Sequence, residues 1–238
     1  MTHSYRVIRE RPDSLREAFT KILRHHKSFE VFEALKNVSL DINEGEVLGI
    51  IGRNGSGKST LLKLIAGVFR PSEGTVRVHG AVAPLIELGA GFHPDLTGRE
   101  NILLNGLLLG LSKAQIQQRE EKIIDFAEIG NFIDSPVKQY SSGMFMRLAF
   151  AIAIEVDPDV LVVDEILAVG DAEFRNKCDT RLETFRRDGK TIVLVTHELD
   201  VVRRLCSRAL LFDHGLLTAD GPVDDTLRRY EEMVFHVA

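Results

Sequence analysis

The apolar positions of this chain change period as it runs, and the changes mark its elements. From Phe32 to Ile51 apolar and polar residues alternate as in antiparallel strands, with a turn at Asn43-Glu44-Gly45. Val47, Leu48, Ile50 and Ile51 crowd together within that stretch, which predicts a strand buried on both faces. A helix opens at Thr60-Leu61-Leu62 and runs to Gly67. Pro71-Ser72-Glu73-Gly74 reads as a turn, and Thr75–Val78 and Ala81–Leu88 read as strands before Gly89-Ala90-Gly91 breaks the pattern. Thr97-Gly98-Arg99-Glu100 has the form of a capping box and opens an apolar helix through Leu109. An amphipathic helix follows from about Lys113 to Phe126, and Tyr140–Ala153 is a polar turn leading into an apolar helix that stops at Asp157-Pro158. Val160–Val163 and Thr191–His197 read as buried strands, Arg208–Phe212 and Leu216–Ala219 as a hairpin about His214-Gly215, and a polar helix starts at Val223. Strands alternating with helices predict an α/β fold: a β-rich N-terminal part, a mostly parallel core sheet and a helical subdomain inserted at about residues 90–157.

The first 30 residues differ in character from the rest. Ser14 and Glu17 form a possible capping box, and Leu15, Phe19, Ile22 and Leu23 fall on one helical face. Arg9, Arg11, Arg16, Lys21, Arg24 and Lys27 make the segment strongly basic. Two readings stay open for this N-terminal extension: a docked amphipathic helix with a solvated basic face, or contact with a membrane surface or a membrane-embedded partner.

Composition narrows the field. The chain has 238 residues, 44% hydrophobic and 27% charged, which suits one large domain with a real core. A formal net charge of −5 speaks against a nucleic-acid partner, whose footprint is usually basic. No apolar run approaches the roughly 18 residues of a membrane-spanning helix, and the N-terminal residues lack the apolar core of a signal peptide. Cys178 and Cys206 stand apart from each other and from any metal-ligand spacing, so the expectation is two reduced, partly buried thiols.

The candidate chemistry sits between the first buried strand and its helix. Gly52-Arg53-Asn54-Gly55-Ser56-Gly57-Lys58-Ser59 is a G-x-x-x-x-G-K-[ST] phosphate-binding loop, and it stands in the required order of strand, loop and helix. The glycines let the backbone curl so that N–H groups converge on a polyphosphate, and the helix N-terminus adds its own donors. Lys58 is placed to bridge the β- and γ-phosphates, and Ser59 to ligate Mg²⁺. The strand Val160–Val163 runs into Asp164 and Glu165, and the strand from Thr191 runs into His197. In an α/β sheet such strand ends are where ligands bind. Asp164 is therefore a candidate metal ligand, Glu165 a candidate base for the attacking water, and His197 a candidate γ-phosphate contact. Taken singly, each has a plain structural alternative, as a capping carboxylate, a surface acid or a satisfied histidine.

These residues, in this order, resemble the ATP-binding cassette (ABC) ATPases over nearly the whole chain. Gly52, Arg53, Asn54, Gly55, Ser56, Gly57, Lys58, Ser59 and Thr60 match the first nucleotide motif, and Val160–Asp164 with Glu165 match the second and its catalytic base. Asp171 in A-V-G-D is similar to the aspartate of the family's D-loop, and His197 to its switch histidine. Tyr140-Ser141-Ser142-Gly143-Met144 occupies the signature position: Ser141 and Gly143 match the usual L-S-G-G-Q, and Ser142 and Met144 depart from it. The resemblance implies the P-loop ABC ATPase fold as a single domain over residues 1–238, with a RecA-like core. It implies ATP and Mg²⁺ as ligands and two chains sandwiching two ATPs. An aromatic that stacks on adenine is expected before the loop. Tyr5 and Phe29 both qualify, with Tyr5 preferred because the basic residues 9–28 read as an insertion after it. Glu87 stands where the family usually has a glutamine; a carboxylate there can meet Mg²⁺ but cannot donate hydrogen bonds as an amide does.

Glu87–Asn101, the Y-S-S-G-M signature and the extended N-terminus together resemble exporters of polysaccharide of the O-antigen, teichoic-acid and capsule type. The expected role is the ATPase subunit of such an exporter, bound as a homodimer to two copies of a separate transmembrane permease at the cytoplasmic face of the membrane. Its transported substrate would be a lipid-linked polysaccharide. The helix from Thr97 to Leu109 is then placed to report nucleotide state to the substrate path, with Leu103 and Leu104 as the positions to probe. With the sequence ending at Ala238, substrate choice is expected in the permease or the lipid anchor rather than in an appended sugar-binding domain. The alternatives are a soluble, non-transport ABC ATPase or a subunit of another ABC transporter class.

Overall fold

The computed structural model describes residues 1–8, 29–86, 88–164 and 171–235. The basic amphipathic helix expected within residues 9–28 lies outside the described residues, as do Glu87 and Glu165.

Two strands, β1 (His3–Ile8) and β2 (Phe29–Leu35), pair antiparallel as a separate ribbon. The chain then enters β3 (Val47–Gly52), helix α1 (Lys58–Ile65) and the short β4 (Val82–Pro84). Three helices follow, α2 (Gly98–Leu108), α3 (Lys113–Ala127) and α4 (Ser142–Glu155). The last part comprises β5 (Val160–Val163), α5 (Ala172–Arg187), β6 (Thr191–Val195), α6 (Leu199–Leu205), β7 (Arg208–Asp213), β8 (Leu216–Pro222) and α7 (Val223–Phe235). The main sheet has six strands in the order β4-β5-β6-β3-β7-β8, parallel throughout except for the β7–β8 hairpin.

Strand β3 is central because its sequence has an apolar or glycine residue at every position, and all six are buried. Leu48 and Ile50 pack on one face with Leu61, Leu62 and Leu64 of α1, while Val47 faces the opposite core with Phe174, Leu182 and Phe185 of α5. Gly49 permits close approach of α6: a Cβ there would sit 2.8 Å from Val202 Cγ1 and 3.1 Å from Cys206 Sγ. Each large aliphatic side chain buried in this way contributes roughly 1.5–3 kcal/mol. The three helices α2, α3 and α4 enclose a core of their own, built on Ile102, Ile116, Ile123, Ile124, Leu148 and Ile152.

Three expectations change. Residues 75–79 form no strand; only Glu73 makes an isolated bridge, to Thr2. The strand expected over Ala81–Leu88 shortens to Val82–Pro84 at the edge of the sheet, followed by a last bond from Leu85 N to the Val162 carbonyl at 2.7 Å. The alternation from Phe32 to Ile51 is not one antiparallel run either. Asn37 takes a left-handed conformation (φ 48°) that ends β2, and β3 enters the sheet parallel to both its neighbours. The turn at Asn43–Gly45 is as expected, with Gly45 at φ 74° and the Glu46 side chain accepting from the Asn43 N–H at 2.8 Å.

Candidate functional site

The phosphate loop leaves β3 at Gly52 and closes at the first turn of α1. Two of its glycines are required by space as well as by φ. A Cβ on Gly52 (φ 146°) would lie 2.1 Å from the Phe212 carbonyl oxygen, and one on Gly57 (φ 104°) 2.5 Å from the Ala34 carbonyl oxygen. Lys58 is buried and curls back on the loop, its Nζ donating to the Gly52 carbonyl at 2.7 Å and the Arg53 carbonyl at 2.9 Å. The loop is braced from outside by the β7–β8 turn. Gly215 donates its N–H to the Ser56 carbonyl at 3.0 Å and accepts at its own carbonyl from Lys36 N at 2.8 Å.

The residues fit a polyphosphate. Helix α1 has no side-chain N-cap and no acidic residue in its first turn, so its N-terminal donors carry no protein carboxylate. Ser56 Oγ is buried without a hydrogen-bond partner among the described residues. Uncapped N–H groups, a buried hydroxyl and an ammonium converging on a loop that admits no Cβ at Gly52 or Gly57 suit an anion rich in acceptor oxygens.

The sheet register places the other candidates on the same edge. Ile50 pairs with Val195, so Gly52 and His197 stand level on neighbouring strands. Val163 pairs with Leu194, which sets Asp164 beside Val195. With strands about 4.8 Å apart, Gly52, His197 and Asp164 span about 10 Å of one sheet edge. Asp164 is half-buried and His197 is exposed. Among the described residues no three His, Cys, Asp or Glu side chains cluster as a metal site. The hard oxygens of Ser59 and Asp164 suit Mg²⁺, which takes few protein ligands and fills its shell with phosphate and water.

Tyr5 reaches this region from β1. Its hydroxyl lies 3.3 Å from Thr60 Oγ1, and its ring stands edge-on to Phe69 and His3, with centroids at 6.0 and 5.0 Å. Phe29 pairs with Ile8 at the far end of the ribbon; its side chain lies outside the described residues.

The signature residues are some way off, on α4. Ser141 is the N-cap, its Oγ accepting from the Met144 N–H at 3.2 Å, and Gly143 follows in the first turn. They line a cavity of about 390 Å³ with Glu128, Ile129, Met144, Arg147 and Asp171. Asp171 caps α5 through Oδ1, which accepts from Phe174 N at 2.9 Å, while Oδ2 accepts from Arg147 Nη2 at 2.7 Å. The Phe174 N–H, then the nearby Arg147, hold its carboxyl below the usual aspartate range. Glu128 bonds Arg147 at 2.7 Å and Lys177 at 2.8 Å, and its carboxyl is likewise lowered, first by Lys177. The sequence gives no sign of Glu128 or Lys177. They lie about 20 and 30 residues from Arg147 in sequence, and only folding brings the three charges together.

The structure thus brings together Gly52–Thr60, Asp164, His197 and Tyr5 along one edge, and Ser141, Gly143 and Asp171 around a second hollow. A family model described as ABC transporter matches residues 35–168. The chain is 51% identical over 211 residues to the O-antigen export system ATP-binding protein RfbB of Myxococcus xanthus, covering 89% of this chain and 48% of that protein. It is 46% identical over 199 residues to the protein of the same name from Klebsiella pneumoniae, covering 84% and 81%. It is 43% identical over 234 residues to the teichoic acids export ATP-binding protein TagH of Bacillus anthracis, covering 98% and 42%. The chain therefore spans about half the length of the Myxococcus and Bacillus relatives. Among solved structures, a dimeric ATP-binding cassette in a post-hydrolysis state bound to ADP and Pi superposes with TM-score 0.71 at 25% identity, covering 93% of this chain and 96% of that one.

Proposed function

The chain belongs to the ABC transporter family, and from that membership we propose that it is the ATP-hydrolysing subunit of an exporter for a lipid-linked polysaccharide. Two copies sandwich two ATPs and sit on the cytoplasmic face of a pair of membrane permease subunits. Among the described residues no helix is long and apolar enough to cross a membrane, which agrees with a separate membrane partner. The observation that carries the reading is the loop itself: Lys58 held at an uncapped helix N-terminus, in a loop where Gly52 and Gly57 leave no room for a side chain.

In this reading the loop amides, Lys58 and Thr60 bind the phosphates, and Tyr5 meets the adenine with its ring fixed by Phe69 and His3. Ser59 and Asp164 would hold Mg²⁺, with Glu87 as a further ligand, and the ion would supply positive charge against the phosphates. Glu165 polarises the attacking water, and His197 contacts the γ-phosphate from the neighbouring strand. Ser141 and Gly143 close on the ATP of the second subunit. Binding energy that differs between the open and closed dimers then drives the permease.

The test is reconstitution of the chain with a permease encoded beside glycosyltransferases, followed by ATP turnover with and without lipid-linked glycan. Co-purification and glycan-stimulated turnover are expected. Turnover without any association with a permease would leave an ATPase of another role.

A further inference from the structure

Arg147 is the hub of a charge chain that crosses three elements. From the second turn of α4 its guanidinium forks, Nη2 to Asp171 Oδ2 and Nη1 to Glu128 Oε2, both at 2.7 Å. Its carbon lies 4.8 Å from the centre of the Phe174 ring. Glu128 passes the chain on through Oε1 to Lys177 Nζ at 2.8 Å, and Lys177 also donates to the Phe126 carbonyl at 3.0 Å. The side chain of Arg147 is only 18% exposed. A surface ion pair contributes little, but a guanidinium packed on an aromatic face and shared by two carboxylates has a fixed position.

Glu128 adds a second observation. It ends α3 in the left-handed conformation, φ 57°, a place usually taken by glycine or asparagine. That conformation costs free energy in a glutamate and aims the carboxylate at Arg147 and Lys177 together. At the other end, Asp171 follows directly on residues 165–170, the segment that begins at Glu165.

We propose that Arg147 and Glu128 are positioning residues that hold Asp171 in register with Ser141 and Gly143, and so couple the two ATP sites of the dimer. The proposal rests on the function given above. There, the start of α4 serves the ATP on the second subunit, whereas Glu165, six residues before Asp171 in sequence, serves the chain's own. Arg147 stands one turn beyond Gly143 on α4, and its guanidinium is bonded to Asp171. When α4 moves onto the second subunit's nucleotide, Arg147 carries Asp171 with it, and the closure of one site is felt at the other.

The experiment uses the full chain and three variants, Arg147→Met, Arg147→Lys and Glu128→Gln. Affinity for a fluorescent ATP analogue is measured at dilutions that keep the chain monomeric, and hydrolysis is measured against ATP concentration where it dimerises. Wild type is expected to show a Hill coefficient well above one. Arg147→Met and Glu128→Gln should keep the monomer affinity and thermal midpoint within error of wild type or slightly reduced. Their Hill coefficient should fall toward one and their half-saturating ATP should rise about 5-fold or more, the usual size of a coupling between sites. Arg147→Lys keeps the charge but cannot fork to two carboxylates, so it should recover part of the effect. If Arg147→Met does not fold, Glu128→Gln decides alone. Wild-type cooperativity retained in a folded Glu128→Gln, or a wild type with a Hill coefficient of one, would overturn the proposal. A wild type that fails to bind the ATP analogue at all would instead overturn the assigned function.

Discussion

Lys58 Nζ lies 2.7 Å from the Gly52 carbonyl oxygen, so the ammonium is held by the start of the loop that it closes. The same group is donated to Arg53 at 2.9 Å. An ammonium set in place by backbone carbonyls is positioned before any phosphate arrives, and binding needs little reordering. Lys58→Ala should fold, because the loop glycines and the α1 core remain, yet should lose ATP affinity about 10- to 100-fold, the equivalent of one charge-assisted hydrogen bond. Equilibrium titration with a fluorescent ATP analogue measures it. Affinity within twofold of wild type would show that the lysine does not meet the phosphates.

The loop glycines predict a graded series. Gly52→Ala places its Cβ 2.1 Å from a backbone oxygen and Gly57→Ala 2.5 Å from another, with no flexible side chain to give way. Gly55→Ala meets nothing within 4 Å and suffers only its φ of 76°. Gly55→Ala should therefore cost about 1 kcal/mol of stability, and Gly52→Ala and Gly57→Ala distinctly more, about 3 kcal/mol or above. Thermal or denaturant unfolding of the three variants gives the order directly. Equal losses would mean that φ alone sets the cost and the loop has room to relax.

The sheet and its site were legible in the sequence where one residue's role depends on its own neighbours in the chain. The run Val47–Ile51, the loop to Ser59 and the acids after Val163 each announce themselves locally, and the parallel order follows from alternation with helices. What failed was pairing that depends on distant partners. Thr75–Val78 has strand composition but no ladder, and of Ala81–Leu88 only Val82–Pro84 is strand, at the edge of the sheet. Within the site, Asp171 could be picked out through the family motif, but Glu128 could not. Its role comes from a left-handed helix end and an approach across three elements, neither of which leaves a period or spacing in the sequence.

Helix α2 separates two kinds of leucine. Leu103 is partly buried against the core of the helical subdomain, whereas Leu107 and Leu108 are 49% and 67% exposed. The outward positions are thus one turn later than Leu103 and Leu104. Leu108→Asp should leave the melting temperature and the isolated ATPase near wild type and reduce permease-coupled turnover. Leu103→Asp should destabilise by about 2 kcal/mol through a carboxylate pressed against the apolar core of the subdomain and lower every activity together. Thermal melts with paired ATPase assays, with and without permease, distinguish the two. A Leu108→Asp variant with normal coupled turnover would remove this surface from the permease interface.

Cys178 is buried and Cys206 partly so. Burial pushes Cys178 and Cys206 up to about 12, from an ordinary value near 9. At neutral pH the native chain should react with iodoacetamide far more slowly than the unfolded chain, since the thiolate is the nucleophile. The sign for stability follows from linkage. The folded state keeps its thiol protons between pH 9 and 12 while the unfolded state releases them, so stability is complete below pH 9 and falls across that interval. Alkylation followed by mass spectrometry, with thermal melts from pH 7 to 11, provides the check. Rapid labelling of either cysteine in the native chain at pH 7 would contradict the burial.

Glu165 follows Asp164 in sequence, and Asp164 stands on the sheet edge that also carries Gly52 and His197. A carboxylate there can take a proton from a water aimed at the γ-phosphate, which is the role the family resemblance assigns it. Glu165→Gln keeps the size of the side chain and much of its hydrogen bonding but removes the basicity. ATP should still bind, because Lys58 and the amides at the start of α1 act without Glu165. General-base assistance is commonly worth about 10²- to 10⁴-fold, or roughly 3–5 kcal/mol of barrier. The variant should therefore turn over about a hundredfold more slowly or worse, and should accumulate as an ATP-bound dimer on size exclusion. Lys58→Ala should show the reverse, with neither retained nucleotide nor a trapped dimer. If Glu165 only caps the strand end, the amide would substitute for it and turnover would stay near wild type. Measuring turnover and nucleotide occupancy on the same preparation separates these outcomes, and near-normal turnover would take the base assignment away from Glu165.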